Sequence, residues 1–198
     1  MRAFWDERYS TEEFVYGREP NEFLAGCLEQ LSPGRILLPG EGEGRNAVHA
    51  ALKGWKVTAF DQSPVAVRKA GQRMKEEGVE WIYTVSDVSS FEFKEAAFDA
   101  VGLVFFHLPP PQRKYFHEMV ARTLVPGGSL IIEAFNKKQI GNGTGGPGNI
   151  DMLYEREIIL DDFKGFRHEL LEETTVSLEE GLYHRGRADV LRYLGVKI

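Results

Sequence analysis

The sequence predicts an α/β fold: a doubly wound, mostly parallel seven-stranded sheet with helices on both faces and a C-terminal antiparallel hairpin. Between residues 35 and 135, short apolar runs alternate with helix-length segments, which is typical of βαβ units. The run at 98–106 is apolar almost throughout, as expected of a strand that is covered on both faces. Two alternating segments near the C-terminus, separated by Glu180 and Gly181, predict the hairpin.

Length, charge and cysteine count restrict the class of protein. A chain of 198 residues suits one domain with a single core. The net charge of −6 argues against a nucleic-acid partner, because affinity for the phosphate backbone rests on clustered Lys and Arg. Cys27 is the single cysteine, no apolar run approaches the ~20 residues of a membrane-spanning helix, and the N-terminus lacks a signal-peptide pattern. We therefore expect a cytoplasmic monomer or weak homodimer that binds neither nucleic acid nor membranes.

The chain divides into three expected parts of one domain. An N-terminal lid and helix (1–34) precede a cofactor-binding half (35–135), and a glycine-rich loop, a helix and an edge hairpin (136–198) follow. Residues 141–148 contain too much glycine for regular structure. This loop is either a passive linker or a mobile cover over a site.

Local signals set the order of helices and strands. The aromatic residues of 1–19 either pack on the domain surface or form a lid over a ligand, with Tyr16 at its closing edge. Pro20 is placed to start the first clear helix, and Ser63 is placed to cap a later helix that begins at Pro64. The expected elements are, in chain order, helix 20–31, strand 35–39, helix 45–53, strand 56–60, helix 64–78, strand 81–85, strand 98–106, helix 111–124, strand 129–135, helix 154–160, and strands 169–178 and 183–194.

The stretch 36–47 predicts a strand, a tight turn and the start of a helix. Its three glycines permit a ligand to approach the backbone, because glycine has no Cβ, and the helix N-terminus offers unpaired N–H groups. The pattern Gly42-x-Gly44-x-x-Ala47 formally fits a dinucleotide fold. Asp61, at the end of the second strand, is placed either to accept hydrogen bonds from ribose hydroxyls or to cap the next helix.

The charges near this turn favour a cationic adenosine ligand over a dinucleotide. Glu41 and Glu43 would repel a pyrophosphate and attract a positive group. Asp87, at the end of the third strand, is placed to accept a hydrogen bond from an adenine amino group, or else to cap a turn. We also expect no second domain that would hold a hydride-transfer substrate. The ligand that combines adenosine and a positive charge without phosphate is S-adenosylmethionine.

Several motifs then occur in the order of a known family. They are Gly40-Glu41-Gly42-Glu43-Gly44-Arg45-Asn46, Val57-Thr58-Ala59-Phe60-Asp61, Ser86-Asp87, Phe98-Asp99-Ala100-Val101 and Leu124-Val125-Pro126-Gly127-Gly128. With them, the chain resembles the class I (Rossmann-like) S-adenosylmethionine-dependent methyltransferases over residues 35–135. Three further segments are similar to the tellurite-resistance-type and thiopurine-type enzymes of the small-molecule branch: Trp5-Asp6-x-Arg8-Tyr9, Tyr16-Gly17-x-x-Pro20 and Glu180-Gly181-x-Tyr183-His184-x-Gly186.

One position departs from the family pattern. Leu38 stands two residues before the first glycine, where the family has an acidic residue that helps to organise the methionine end of the cofactor. The sequence leaves open whether Glu41 or Glu43 replaces it. The cofactor contacts that we expect within the resemblance are Tyr16, Gly40, Glu41, Gly42, Gly44, Asn46, Asp61, Gln62, Asp87, Val88 and Phe105.

The resemblance implies an enzyme that moves a methyl group from S-adenosylmethionine to a small soluble acceptor by in-line displacement. Because the cofactor carries the activation, a base is needed only for a weakly acidic acceptor. His107, Glu133 and His184 are the substrate candidates, with packing or loop roles as the alternative for each. No metal site is predicted. The alternative functions are a non-catalytic S-adenosylmethionine-binding scaffold and an NAD-dependent oxidoreductase.

Overall fold

The computed structural model describes residues 2–198 and has the alternating order that the sequence predicts. Two short 3₁₀ helices, Lys137–Gln139 and Ile150–Met152, lie between the fifth strand and the last α-helix. The main elements are α1 (Arg2–Arg8), α2 (Glu22–Gln30), β1 (Arg35–Pro39), α3 (Arg45–Leu52), β2 (Lys56–Asp61), α4 (Pro64–Glu77), β3 (Ile82–Val85), β4 (Phe98–Val104), α5 (Pro110–Thr123), β5 (Leu124–Phe135), α6 (Arg156–Asp162), β6 (Phe166–Glu180) and β7 (His184–Lys197).

The seven strands form one sheet in the order β3-β2-β1-β4-β5-β7-β6. The first five strands are parallel to one another, and β7 runs antiparallel to both β5 and β6. The predicted mostly parallel sheet with a C-terminal antiparallel hairpin is therefore confirmed. Within the hairpin, β7 pairs with β5 and β6 forms the edge.

Apolar side chains cover both faces of the sheet, as expected when helices flank parallel strands. Strand β1 shows the alternation: Leu37 joins the cluster that includes Phe116 of α5, while Ile36 and Leu38 join the cluster that includes Leu28 of α2. All three β1 residues are almost fully buried. Helices on both faces therefore hold β1 in place, and the turn that follows it is rigidly positioned.

Several element boundaries differ from the sequence prediction, and those of α2 and β4 have a local cause. Helix α2 begins at Glu22 and not at Pro20, because the Asn21 side chain accepts a hydrogen bond from the N–H of Leu24 and caps the helix. Strand β4 ends at Val104, because Phe105 has φ of 48° and leaves extended geometry. Strand β5 begins at Leu124, before the turn that was expected to precede it.

Other local predictions are confirmed. The Ser63 hydroxyl accepts a hydrogen bond from the N–H of Ala66 at 3.3 Å, so Ser63 caps α4 and Pro64 opens it. Gly78, with φ of 65°, ends that helix. Residues 2–8, for which no regular structure was predicted, form the short helix α1. Among residues 2–198, no helix has the length and apolar character needed to cross a membrane.

Candidate functional site

A cavity of about 940 Å³ opens beyond the carboxyl ends of the parallel strands, where open α/β sheets bind ligands. Its walls come from the glycine turn after β1, the ends of β2 and β4, the loop after β3, the N-terminal segment and the hairpin turn. All of the predicted cofactor contacts except Gly44 lie in its wall. Gly44 instead starts α3 with φ of 87°, and a side chain there would press on Ala70 and Trp81. Its role is therefore to shape the turn.

Two glycines of the turn have positive φ and lie directly against aromatic rings. Gly40 and Gly42 have φ of 62° and 63°. A Cβ atom on Gly42 would lie 2.7 Å from the hydroxyl of Tyr9, and one on Gly40 would overlap the ring of Phe106. Both the backbone conformation and the available space therefore require glycine at these two positions.

Glu41 folds back onto the helix that follows the turn. Its Oε1 accepts hydrogen bonds from the backbone N–H groups of Asn46 at 2.7 Å and Ala47 at 2.8 Å, and its Oε2 accepts one from the Asn46 side chain at 3.2 Å. Burial raises the pKa of Glu41 to about 7 despite these hydrogen bonds. The first N–H groups of α3, which hold the pyrophosphate in dinucleotide folds, are thus already occupied by a carboxylate.

Glu43 has a different environment, and this corrects the expectation that both glutamates present their charge to a ligand. It forms a buried ion pair with Lys69, and its Oε2 accepts a hydrogen bond from the N–H of Val15 at 2.7 Å. Lys69 also donates to the backbone carbonyls of Thr11 at 3.0 Å and Glu13 at 2.6 Å. Glu43 and Lys69 therefore hold the N-terminal segment onto the glycine turn.

Asp61 bridges the end of β2 and the glycine turn. Its Oδ2 accepts a hydrogen bond from the N–H of Gly42 at 3.0 Å, and its Oδ1 accepts one from the N–H of Ser63 at 2.8 Å. Burial raises the pKa of Asp61 to about 6. Ser63, and not Asp61, caps α4, and Gln62 lies beside Asp61 in the cavity wall.

Asp87 caps a turn, which is one of the two roles that the sequence left open. Its Oδ1 accepts hydrogen bonds from the N–H groups of Ser89 at 2.9 Å and Ser90 at 3.0 Å, so it caps the turn after β3. Hydrogen bonds from Ser89 hold the pKa of Asp87 below its ordinary value. Asp87 is only partly covered and lies in the cavity wall next to Val88. Within residues 2–198 its Oδ2 has no hydrogen-bond partner, so one carboxylate oxygen is free for a ligand.

Aromatic rings enclose the other end of the cavity. Phe105, at the strained end of β4, stacks on Phe135 with ring centroids 4.5 Å apart. His184 meets Phe105 and Tyr16 at 4.6 Å each. The glycine-rich loop lies over these rings, since a Cβ atom on Gly145 would be 2.7 Å from the His184 ring. The loop therefore covers the cavity and does not act as a passive linker.

His184 is held by a carboxylate across the hairpin. Its Nδ1 lies 3.2 Å from Oε2 of Glu180, which also accepts a hydrogen bond from Arg45 at 2.8 Å. Burial opposes ionisation of Glu180, but the hydrogen bonds from His184 and Arg45 outweigh it and lower the pKa of Glu180 to about 2. Burial also lowers the pKa of His184. A neutral His184 that donates Nδ1–H to Glu180 leaves Nε2 as an acceptor.

The other two substrate candidates are engaged within the protein. His107 donates from Nδ1 to the carbonyl of Met152 at 3.0 Å and accepts at Nε2 from the N–H of Phe135 at 3.3 Å, and burial lowers its pKa to about 4. Glu133 pairs with Arg192 at 2.6 Å and lies outside the cavity wall. His107 thus lies in the cavity wall with both ring nitrogens engaged, whereas Glu133 is not among the wall residues.

The N-terminal segment closes one side of the cavity, which supports the lid interpretation of residues 1–19. Arg8 donates a hydrogen bond to the hydroxyl of Tyr16 at 3.1 Å, and its guanidinium lies 3.9 Å from the ring centroid of Tyr183 on the hairpin turn. The N–H of Leu182 donates to the carbonyl of Val15 at 2.8 Å. The N-terminal segment and the hairpin turn are therefore fastened to each other over the site.

The sequence interpretation missed the pairing of Glu180 with His184 and the role of Arg45 beside them. A signal was present, because two polar residues four positions apart across a turn that contains glycine become cross-strand neighbours in a hairpin. Strand register places Glu180 opposite His184. Within residues 2–198, no group of three or more His, Cys, Asp or Glu side chains is arranged to hold a metal ion.

Comparison with known proteins agrees with this architecture. The profile of the "Methyltransferase domain" family matches residues 36–128. The chain is 33% identical over 121 residues to the ubiquinone biosynthesis O-methyltransferase of Alkalilimnicola ehrlichii, covering 59% of this chain and 47% of that protein. It is 28% identical over 136 residues to the 27-O-demethylrifamycin SV methyltransferase of Amycolatopsis mediterranei, covering 67% and 50%. The chain thus spans about half the length of the curated relatives that it matches.

Solved structures share the fold at low sequence identity. TehB from Haemophilus influenzae superposes with a TM-score of 0.76 at 16% identity, covering all of this chain and 67% of that chain. A structure described for the conversion of a disulfide bond into a thioacetal group during echinomycin biosynthesis also gives 0.76, at 19% identity, covering 100% and 92%. The [4+2]-cyclase SpnF gives 0.68 at 19% identity, covering 93% and 87%, so the fold by itself does not fix the reaction.

The sheet order, the glycine turn and the acidic strand ends are those of a Rossmann-like fold with a cavity at the carboxyl ends of its strands. The family match covers residues 36–128, the part of the chain that contains β1 to β4 and the glycine turn. Residues 36–128 match the methyltransferase domain family, and this match implies S-adenosylmethionine as the cofactor.

Proposed function

We propose that this protein transfers a methyl group from S-adenosylmethionine to a small soluble acceptor by in-line displacement. The observation that carries the proposal is the continuity of the cavity. It extends from Asp87 and Asp61, past the glycine turn, to a chamber of aromatic rings that includes His184. A chamber that is continuous with the proposed cofactor site can align an acceptor and exclude water, which is the main task of a methyltransferase.

The residues at the glycine turn suit S-adenosylmethionine better than NAD. Glu41 takes the N–H groups of α3 that a pyrophosphate would need, and Asp61 retains lone pairs for ribose hydroxyls. Neither carboxylate forms an ion pair with a cation within residues 2–198, which favours a positively charged ligand. When bound, the cofactor supplies an electrophilic methyl group. The NAD-dependent oxidoreductase is therefore the weaker alternative.

His184 is the residue that we propose as the general base. The hydrogen bond from Nδ1 to Glu180 fixes the tautomer, and Nε2 is then free to accept a proton from the acceptor. The lowered pKa of His184 keeps it unprotonated at neutral pH. Phe105 and Phe135 beside it limit the access of water. This arrangement supports an acceptor that carries an ionisable O–H, S–H or N–H group.

We propose further that the protein acts in the cytoplasm, as a monomer or weak homodimer, on soluble small molecules and not on nucleic acid or membranes. The net charge of −6 disfavours a nucleic-acid backbone. Cys27 is buried and unpaired, which suits a reducing compartment. The names of the two relatives, a ubiquinone biosynthesis O-methyltransferase and a 27-O-demethylrifamycin SV methyltransferase, are consistent with a small acceptor.

Binding measurements test the cofactor part of the proposal. By isothermal titration calorimetry, S-adenosylhomocysteine should bind with a dissociation constant in the micromolar range, and NAD should not bind. Asp61→Ala should weaken the binding of S-adenosylhomocysteine about tenfold or more, because it removes a charged acceptor from the ribose site. Unchanged affinity in this variant would contradict the assignment of Asp61.

An acceptor panel tests the catalytic part. The wild-type protein is incubated with S-adenosylmethionine and thiol, amine, carboxylate and chalcogen acceptors, and methylated products are followed by mass spectrometry. For the acceptor that reacts, His184→Gln should lower kcat about 100-fold, with the affinity for S-adenosylhomocysteine unchanged. The control is His168→Gln, because His168 is exposed on β6 and should leave kcat unchanged. Tight cofactor binding without any methylated product would favour the scaffold alternative.

A further inference from the structure

Four glutamates near the cavity are largely buried, and three of them have a cation as partner. Glu180 pairs with Arg45 at 2.8 Å, Glu133 pairs with Arg192 at 2.6 Å, and Glu43 pairs with Lys69. The fourth, Glu41, is 8% exposed and forms no ion pair within residues 2–198. Since a buried carboxylate without a counter-ion is costly, this exception calls for a partner from outside the chain.

The hydrogen bonds of Glu41 leave unused capacity on one of its two carboxylate oxygens. Oε1 is saturated by two backbone N–H groups of α3, whereas Oε2 accepts a single bond, from the Asn46 side chain at 3.2 Å. Arg45 is close enough to act on Glu41 through its charge, but its guanidinium is committed to Glu180 and, at 3.4 Å, to the carbonyl of Tyr16. Glu41 lies in the cavity wall and is therefore accessible to a positively charged ligand group.

We infer that Glu41 is the counter-ion for the α-ammonium group at the methionine end of S-adenosylmethionine. This inference rests on the proposed cofactor site and assigns to Glu41 the task that the family gives to an acid at the position of Leu38. Leu38 is 1% exposed and packs in the core beneath the turn, so it contributes no charge. Glu43 is excluded as the replacement because Lys69 and Val15 occupy its carboxylate.

Glu41 is surrounded by ionisable groups from every element that packs on the turn. Charge from Arg45 favours its ionised form, while burial dominates and raises its pKa to about 7. The other groups that sense its charge or share its surroundings are Tyr9 of the N-terminal segment, Glu43 of the turn, Asp61 of β2, Arg73 of α4 and Tyr83 of β3. A cation placed at Glu41 would release the proton that Glu41 binds below neutral pH.

A comparison of two ligands in one variant tests the inference. Glu41→Gln keeps a carbonyl oxygen to cap α3 but removes the charge. S-adenosylhomocysteine carries the α-ammonium group, whereas 5′-deoxy-5′-methylthioadenosine has the same nucleoside and lacks the amino-acid end. By calorimetry at pH 7.5, Glu41→Gln should weaken binding of S-adenosylhomocysteine about 10- to 100-fold and change that of the truncated ligand less than about threefold. Equal weakening of both ligands would show a purely structural role and overturn the inference.

Proton release gives a second readout that does not depend on comparing two proteins. At pH 6.5, titrations in two buffers of different ionisation enthalpy should show that S-adenosylhomocysteine releases more protons from the wild-type protein than the truncated ligand does. Because both ligands contact the ribose site in the same way, any proton release from Asp61 is the same for both and does not affect the difference between them. No difference would refute the inference even if both ligands bind. Failure of both ligands to bind the wild-type protein would instead refute the proposed cofactor site, and the inference with it.

Discussion

The two ends of the cavity differ in whether their carboxylates have a cation as partner. At the cofactor end, Glu41, Asp61 and Asp87 line the wall without a cation partner within the described residues 2–198. At the end proposed to hold the acceptor, Arg45 of the wall is paired with Glu180, and the wall residues Tyr16, Phe105, Phe135 and His184 are aromatic. The unpaired carboxylates are complementary to a ligand that carries a positive charge and hydroxyl groups. We propose that the aromatic rings form a chamber in which shape, and the Nε2 atom of His184, select the acceptor.

The largest predicted effect comes from removing the cation that pairs with Glu43, so that Glu43, like Glu41, is a buried carboxylate without an ion-pair partner. Lys69→Met leaves Glu43 buried beside Glu41 with no cation, and the free energy of unfolding should fall by about 3–5 kcal/mol, as for other broken buried ion pairs. Urea denaturation measures this loss. The N-terminal segment, which Lys69 holds through backbone carbonyls, should become accessible to protease at the same time.

A matched exposed pair provides the control. Lys53 lies 3.5 Å from Glu29, and both side chains are about half exposed, so Lys53→Met should change stability by less than about 1 kcal/mol. The double variant Glu43→Gln, Lys69→Met should regain part of the loss, because it leaves no unpaired charge. If Lys69→Met is no more destabilising than Lys53→Met, then the buried ion pair between Glu43 and Lys69 does not contribute more to the free energy of unfolding than an exposed pair does.

The second prediction concerns pH and the unpaired Glu41. Its pKa is raised to about 7 in the folded protein from 4.5, so below neutral pH the folded state binds the extra proton. Stability without ligand therefore falls as pH rises from about 4.5 to 7, by about 3 kcal/mol at most from this group. In Glu41→Gln this contribution disappears. The measurement is the difference in unfolding free energy between the variant and the wild-type protein across pH 5 to 8.

The change of that difference with pH shows whether Glu41 carries an uncompensated buried charge. Glu41→Gln should gain stability relative to the wild-type protein as pH rises through 7, because the wild-type protein then carries an uncompensated buried charge. A difference that is flat with pH would mean that the carboxylate is ionised and satisfied by α3 alone. The same proteins saturated with S-adenosylhomocysteine should show a smaller difference, because the ligand supplies the counter-ion.

Much of the fold was predictable because its signals are local. The buried strand β4 follows from an apolar run, and Ser63 with Pro64 marks the start of α4 through capping chemistry. The boundary of α2 was misplaced because Asn21 caps it, although Pro20 also suits a first helical position. The end of β4 was misplaced because the strained backbone at Phe105 depends on surrounding structure.

The candidate site was predictable at the cofactor end and much less so at the acceptor end. The order of strands and helices in a βαβ unit determines where its glycines and strand-end acids lie. The positions of Asp61 and Asp87 beside the cavity could therefore be predicted from their spacing in the sequence. The pairing of Glu43 with Lys69, however, joins the turn to α4, and no local pattern encodes it. The same holds for His107, whose two nitrogens are taken by backbone groups from distant segments.

The smallest predicted effect separates two acids at the cofactor end. Asp87→Asn should weaken S-adenosylhomocysteine binding only about two- to fivefold, because Asp87 is largely exposed and one of its oxygens already caps a turn. Asp61→Ala, at a buried site, should cost at least tenfold. Calorimetry on both variants measures the contrast, and adenosine should lose the same factor as S-adenosylhomocysteine in Asp87→Asn, since Asp87 is expected to contact only the base. If the loss at Asp87 equals that at Asp61, then exposure does not set the strength of these contacts, and the turn after β3 must close over the bound nucleoside.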